Sequence, residues 1–171
     1  MKKNPLRGKS EAQAGQDLFA LEVCKNKTYI EIGGSHPRRI NNTFNLDSNH
    51  GWNGFSIELN DKWNNAWDTS SRNNPCYFKN ALTFDYLAAI REQGMNTKVG
   101  YLSCDIEPPN NTYAALQRVI NQGVEFECIT FEHDWFCKKS WLPYETWYVR
   151  EDIVFEELDF QQWRANKVQT L

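Results

Sequence analysis

At 171 residues, with 14% aromatic and 24% charged side chains, the chain is long enough for one domain with a substantial buried core. Its 19 Lys and Arg against 22 Asp and Glu leave a net charge of −3, which removes the electrostatic case for a nucleic-acid or acidic-membrane surface. No apolar run reaches membrane-span length and no signal-peptide core follows Lys2, Lys3, Arg7 and Lys9, so the expectation is a cytoplasmic single domain over 1–171 with a basic tail over 1–10. The five cysteines show no Cys-x-x-Cys spacing and indicate neither a disulfide framework nor a zinc site. Cys104 and Cys128, inside apolar runs, read as small buried thiols.

The first predicted helix covers 11–25. Ser10 and Gln13 fit a capping box, Leu18, Phe19, Leu21 and Val23 follow at helical spacing, and Gly15 marks either a break or a close approach. A β-branched run then ends at paired glycines, Tyr29-Ile30-Glu31-Ile32-Gly33-Gly34, with Ser35 as a helix cap and Pro37 at an early helical position. The crossover helix expected over 39–50 has Phe44 and Leu46 as apolar contacts, although its asparagines make it poor by propensity. Trp52 reads as core, and a second apolar run closes on Glu58.

This order of strand, glycine turn, helix, strand and acid is the βαβ layout of a nucleoside-cofactor site, with Glu58 accepting hydrogen bonds from ribose hydroxyls. A dinucleotide site wants a third glycine and an open nest for a pyrophosphate, whereas this turn continues His36-Pro37-Arg38. S-adenosylmethionine carries no phosphate. Glu31 and the Gly33-Gly34 turn suit its ammonium and carboxylate.

Farther along, Trp63, Ala66 and Trp67 predict a helix over 61–67, followed by a loop over 70–75 and a short strand over 76–78 that ends at Asn80-Ala81, where a nucleoside site meets the adenine edge. Thr83 is placed to cap a helix with Phe84, Leu87 and Ile90 on one face and Gly94 at its end. In the run 99–107, Asp105 and Glu107 fall on one side of a strand end, and Leu102, Cys104 and Ile106 on the other. In a doubly wound sheet the fourth strand lies beside the first, so both acids face Gly33-Gly34. Carboxylates held there are costly unless they have a task or partners. A helix beginning at Asn111 or Thr112 presents Tyr113, Leu116, Val119 and Ile120 and stops at Gly123, and a fifth strand over 126–131 runs into Glu132-His133-Asp134. The segment 135–150, crowded with Trp135, Phe136, Trp141, Tyr144, Trp147 and Tyr148, reads as an irregular aromatic cap, and 152–160 alternates toward a last strand.

In order and spacing, Gly15-Gln16-Asp17, Tyr29-Ile30-Glu31-Ile32-Gly33-Gly34 with Pro37, Asn42-Thr43, the run from Gly51 to Glu58, and Tyr101-Leu102-Ser103-Cys104-Asp105-Ile106-Glu107 resemble the FkbM-type family of class I S-adenosylmethionine-dependent methyltransferases. The resemblance implies an α/β, Rossmann-like class I methyltransferase sandwich: a mostly parallel central sheet with helices on both faces, shortened at the C-terminus. It implies O-methylation of a sugar or another small hydroxyl-bearing metabolite. By position, it assigns Glu31, Gly33, Gly34 and Ser35 to the methionine part, Glu58 to the ribose, Asn80 and Ala81 to the adenine, and Asp105 and Glu107 to the sulfonium and acceptor. Asp17 and Asn42 join the cofactor-binding set on the same basis. Asp105, Glu107 and His133 are the candidates for a catalytic base. The expected partners are a small-molecule acceptor, with a saccharide as candidate, and a second copy of the chain in a homodimer; no nucleic acid, membrane or metal is expected. Where the family continues with glycine and a further acid, this chain has Pro108-Pro109-Asn110-Asn111. That departure keeps two other readings in view, a catalytically silent cofactor-binding or assembly domain and a divalent-metal-dependent hydrolase using Asp105, Glu107, Glu132 and Asp134.

Overall fold

Alternating side chains along β-branched and aromatic runs go to opposite faces of a sheet, and that alternation organises this chain. The computed structural model describes residues 10–132, 145–151 and 154–157. It places β1 (Thr28–Ile32), β2 (Asn53–Glu58), β3 (Cys76–Phe78), β4 (Lys98–Cys104), β5 (Glu125–Glu132), β6 (Glu145–Glu151) and β7 (Val154–Glu157) in one sheet of order β3-β2-β1-β4-β5-β6-β7. The first five strands pair in parallel, while β6 pairs antiparallel with β5 and β7 antiparallel with β6. Helices α1 (Gln16–Val23), α2 (Phe44–His50), α3 (Asn64–Asp68), α4 (Tyr86–Glu92) and α5 (Pro109–Asn121) cover the sheet, with a 3-10 turn at Asp61–Trp63 ahead of α3. The order reverses at β1, between β2 and β4, which is the switch point of a doubly wound, Rossmann-like α/β fold. Among the described residues no helix is long and apolar enough to cross a membrane.

The two faces of the sheet differ in chemistry. On one, Ile30, Ile32, Phe55, Ile57, Leu102, Cys104 and Ile129 pack with Tyr86 and Ile90 of α4 and Ala115 and Val119 of α5 in an apolar core. On the other, the strand register aligns Gly54, Tyr29, Tyr101 and Cys128 in one row and Ser56, Glu31, Ser103 and Thr130 in the next. Phe19 and Ala20 of α1, Leu46 of α2 and Trp52 cover the first row. The second row is polar and buried throughout.

Buried polar groups need partners, and Arg72, in the loop between α3 and β3, supplies many of them. Its side chain is 1% exposed and forms a 2.7 Å ion pair with Asp47 of α2. It also donates at 2.8 Å to Tyr29 Oη, Thr43 Oγ1 and Asn41 Oδ1, and at 3.1 Å to the Pro37 carbonyl. The Trp67 ring lies 4.7 Å from the guanidinium carbon. Asp47 in turn accepts from the backbone N–H groups of Asn73 and Asn74. The short, asparagine-rich α2 is therefore held by tertiary bonds rather than by its own propensity.

Several element boundaries differ from the sequence expectation. Gly15 is the break: it takes φ 93 as the residue before α1, and Ser10 donates to Asp17 instead of capping a helix at residue 11. No helix starts at Ser35, which has φ 43; α2 begins only at Phe44, whose N–H donates to Asn41 Oδ1. Asp85, not Thr83, caps α4 through the Ala88 N–H. The buried face of α5 is Thr112, Ala115 and Val119, which leaves Tyr113 and Ile120 exposed. Residues 145–150, expected to be irregular, belong to β6, and only Val154–Glu157 of the predicted last strand is described as one. The expectations for residues 1–9 and for Trp135, Phe136, Trp141 and Tyr144 lie outside the described residues.

Removing one partner of a buried, hydrogen-bonded ion pair leaves an uncompensated charge. Arg72→Met is therefore expected to cost about 3–5 kcal/mol of unfolding free energy in urea denaturation. Arg118→Met serves as the control, because Arg118 is exposed and reaches the Phe84 carbonyl only at 3.3 and 3.4 Å. It should change stability by about 0.5 kcal/mol or less. Equal losses in the two variants would contradict the role given to Arg72.

Candidate functional site

A cleft opens where β1, β2, β3 and β4 end, as the switch-point rule requires. Its volume is about 530 Å³, and its wall includes Gly33, Ser35, Glu58, Asn80, Ala81, Asp105 and Glu107. The ends of β1 and β4 touch here: Asp105 N–H donates to the Ile32 carbonyl at 2.9 Å, and a Cβ on Gly33 would lie 1.7 Å from the Asp105 carbonyl oxygen. With φ 93, Gly33 admits no other residue without displacing one of these strands.

The turn after β1 is fastened inward. The Gly33 and Gly34 N–H groups donate to the Ile57 carbonyl at 2.9 and 3.0 Å, and the Ser35 N–H donates to Glu58 Oε2 at 2.7 Å. Asn41 donates to the Gly34 carbonyl and Trp67 Nε1 to the Ser35 carbonyl, at 2.9 and 2.8 Å. Three successive N–H groups are thus engaged by β2, so this turn forms no anion nest. Glu58 Oε1 also accepts from the Asn60 N–H at 2.7 Å. The carboxylate is held at the end of β2 by two backbone donors, and each of its oxygens can accept a further bond.

The structure sorts the sequence candidates into two groups. Gly33, Ser35, Glu58, Asn80, Ala81, Asp105 and Glu107 meet at the cleft. Asp17, Glu31, Gly34 and Asn42 are not on its wall. Glu31 is 2% exposed and accepts from Ser56 Oγ at 2.6 Å and Asn41 Nδ2 at 3.1 Å. Asn42 donates to Ser103 Oγ at 2.9 Å, and Asp17 is buried against Ser10 and the Leu18 N–H. Gly34 sits over Ser56, Trp67 and Glu31. His133 and Asp134 lie outside the described residues.

Sequence reasoning missed Leu59, Asn60, Lys79, Leu82, Ile106 and Asn111, which also form the wall. Their only signal is position, one to a few residues past a strand end or at the start of the next helix. Ile106, expected to point away from the two acids, shares the wall with them. The charged groups on the wall, among the described residues, are Glu58, Asp105, Glu107 and Lys79. Among the described residues, no group of three or more His, Cys, Asp or Glu is placed to hold a metal ion.

No protein-family model and no curated protein matches this chain. Among solved structures it is similar to the N-terminal domain of EvdMO1, crystallised in the presence of SAH and D-fucose. The TM-score is 0.49 at 13% identity, with 84% of this chain covered. The chain spans 62% of the length of that domain.

Burial pushes the Glu31 carboxyl above its ordinary value of 4.5, against the opposing pull of Arg72 and its hydrogen bonds to Ser56, Thr43 and Asn41. Above pH 4.5 the folded chain therefore keeps a proton that the unfolded chain has lost, and stability falls as pH rises through that window. Glu31→Gln removes this contribution. In urea denaturation across roughly pH 4 to 8, the wild type should lose stability relative to Glu31→Gln as pH rises. A constant difference between them would mean that the carboxyl does not titrate abnormally.

Proposed function

We propose that the chain is an S-adenosylmethionine-dependent methyltransferase of the FkbM type that acts on a hydroxyl of a small metabolite, with a saccharide as the acceptor class. The observation that carries this reading is the switch-point cleft, whose first turn has its N–H groups engaged and whose described wall carries the carboxylates of Glu58, Asp105 and Glu107. At that turn a pyrophosphate would find the three backbone N–H groups already engaged and the Glu58 carboxylate beside it. An adenosyl sulfonium, with its net positive charge, suits the carboxylates of the wall.

Within this reading Glu58 binds the ribose hydroxyls, Asn80 and Ala81 border the adenine, and the Gly33 to Ser35 turn borders the methionine part. When bound, the cofactor supplies the activated methyl group. The protein aligns the acceptor with it and limits access of water. Asp105, half-buried on the wall, and Glu107, exposed at the rim, favour positive charge in the cleft. One of these two, or His133, which lies outside the described residues, takes the proton of the acceptor hydroxyl.

S-adenosylhomocysteine at about one hundred times its Kd should raise the Tm by about 5–10 °C, and NAD should not. Glu58→Ala should lose that shift relative to its own unliganded Tm. Asp105→Asn, Glu107→Gln and His133→Ala should keep the shift while one of the three lowers methyl transfer by about 10²- to 10⁴-fold. A shift with NAD and none with S-adenosylhomocysteine would overturn the proposal.

A further inference from the structure

Cys24 and Cys128 are 104 positions apart in sequence, yet their Sγ atoms stand 2.9 Å from one another. That is less than 1 Å longer than the roughly 2.05 Å of a disulfide bond. Both sides of the contact are built by the fold. Cys24 is the residue that ends α1, with extended backbone at φ −85 and ψ 132, and its thiol also lies 3.3 Å from the Gly100 carbonyl. Cys128 continues the row formed by Tyr29 and Tyr101 on the same face of the sheet. Immediately after Cys24, the N–H groups of Lys25 and Asn26 donate to the Glu127 carboxylate at 2.7 and 2.9 Å, which fastens the end of α1 beside Cys128. Neither cysteine lies on the wall of the cleft.

We propose that Cys24 and Cys128 form a reversible disulfide site that ties α1 to β5. The inference does not depend on the methyltransferase reading. Cys24 is half-buried and Cys128 fully buried, so an oxidant meets Cys24 first. Burial and the neighbouring Cys24 also keep the Cys128 thiol protonated. With a low-molecular-weight disulfide such as oxidised glutathione, the Cys24 thiolate attacks one sulfur and releases the first small thiol. Cys128 then loses its proton and attacks Cys24 Sγ, so that the mixed disulfide breaks, the Cys24–Cys128 bond forms and the second small thiol leaves. Two protein thiols are oxidised and one small disulfide is reduced to two thiols.

The test treats the reduced full chain with oxidised or reduced glutathione, blocks remaining thiols by alkylation and maps peptides without reduction. The expected result is a Cys24–Cys128 cross-linked peptide within one chain and a Tm raised on the order of 10 °C over the reduced protein. Both should vanish on added reductant and be absent in Cys24→Ser. Cys128→Ala provides the second variant, in which Cys24 should stop at the mixed disulfide with glutathione. The proposal fails if both thiols remain alkylated under the oxidant, if either pairs instead with Cys76, Cys104 or Cys137, or if the cross-link leaves the Tm unchanged or lower.

Discussion

A guanidinium removed from water has to find its neutralising charge and its hydrogen-bond acceptors where it is buried, and Arg72 finds them on segments that the sequence keeps apart. Asp47 comes from α2, Tyr29 from β1, Asn41 and Thr43 from the crossover, and Pro37 from the turn. Satisfying that one ion sets the position of each of these segments relative to the others. Apolar packing alone would be less selective, since it has little directional preference. The polar face of the sheet is thus fixed by geometry, while the α4 and α5 face is fixed by volume.

The same network explains why the cleft has a defined wall. Asn41 accepts from Arg72 through its oxygen and donates through its nitrogen to Glu31 and to the Gly34 carbonyl. Trp67 packs over Arg72 with its ring and holds the Ser35 carbonyl with its N–H. From below, then, the turn is held by residues that do not border the cleft. From the side it is held by Glu58, which does. The separation gives a rigid platform under the cleft, and it places the residues of the turn motif in two roles: those that hold shape and those that face a ligand.

The strands were legible in the sequence because short β-branched runs bounded by glycine and asparagine have few alternatives. The first three and the fifth fall within a residue or two of expectation, and the switch point followed from their order. Helix starts were harder. Ser10, Ser35 and Thr83 are all good capping residues by type, but each is occupied otherwise or stands in a different backbone conformation. The strand-end candidates Glu58, Asp105 and Glu107 reached the cleft because strand alternation and topology suffice to place them. Glu31, Asp17 and Asn42 did not, because their location depends on a partner such as Arg72 or Ser103 that no local pattern announces. The approach of Cys24 to Cys128 was invisible for the same reason: it arises only when α1 folds back over the fifth strand.

Among the described residues the outermost strand beyond β2 is β3, and it has only three residues. A sheet margin recruits a neighbouring chain by offering a continuous line of unpaired amides and carbonyls, and three residues provide almost none. On that side the molecule resists growing by templated addition of another copy. Any assembly there has to be specified by side-chain chemistry, which selects its partners far more strictly than an open backbone would.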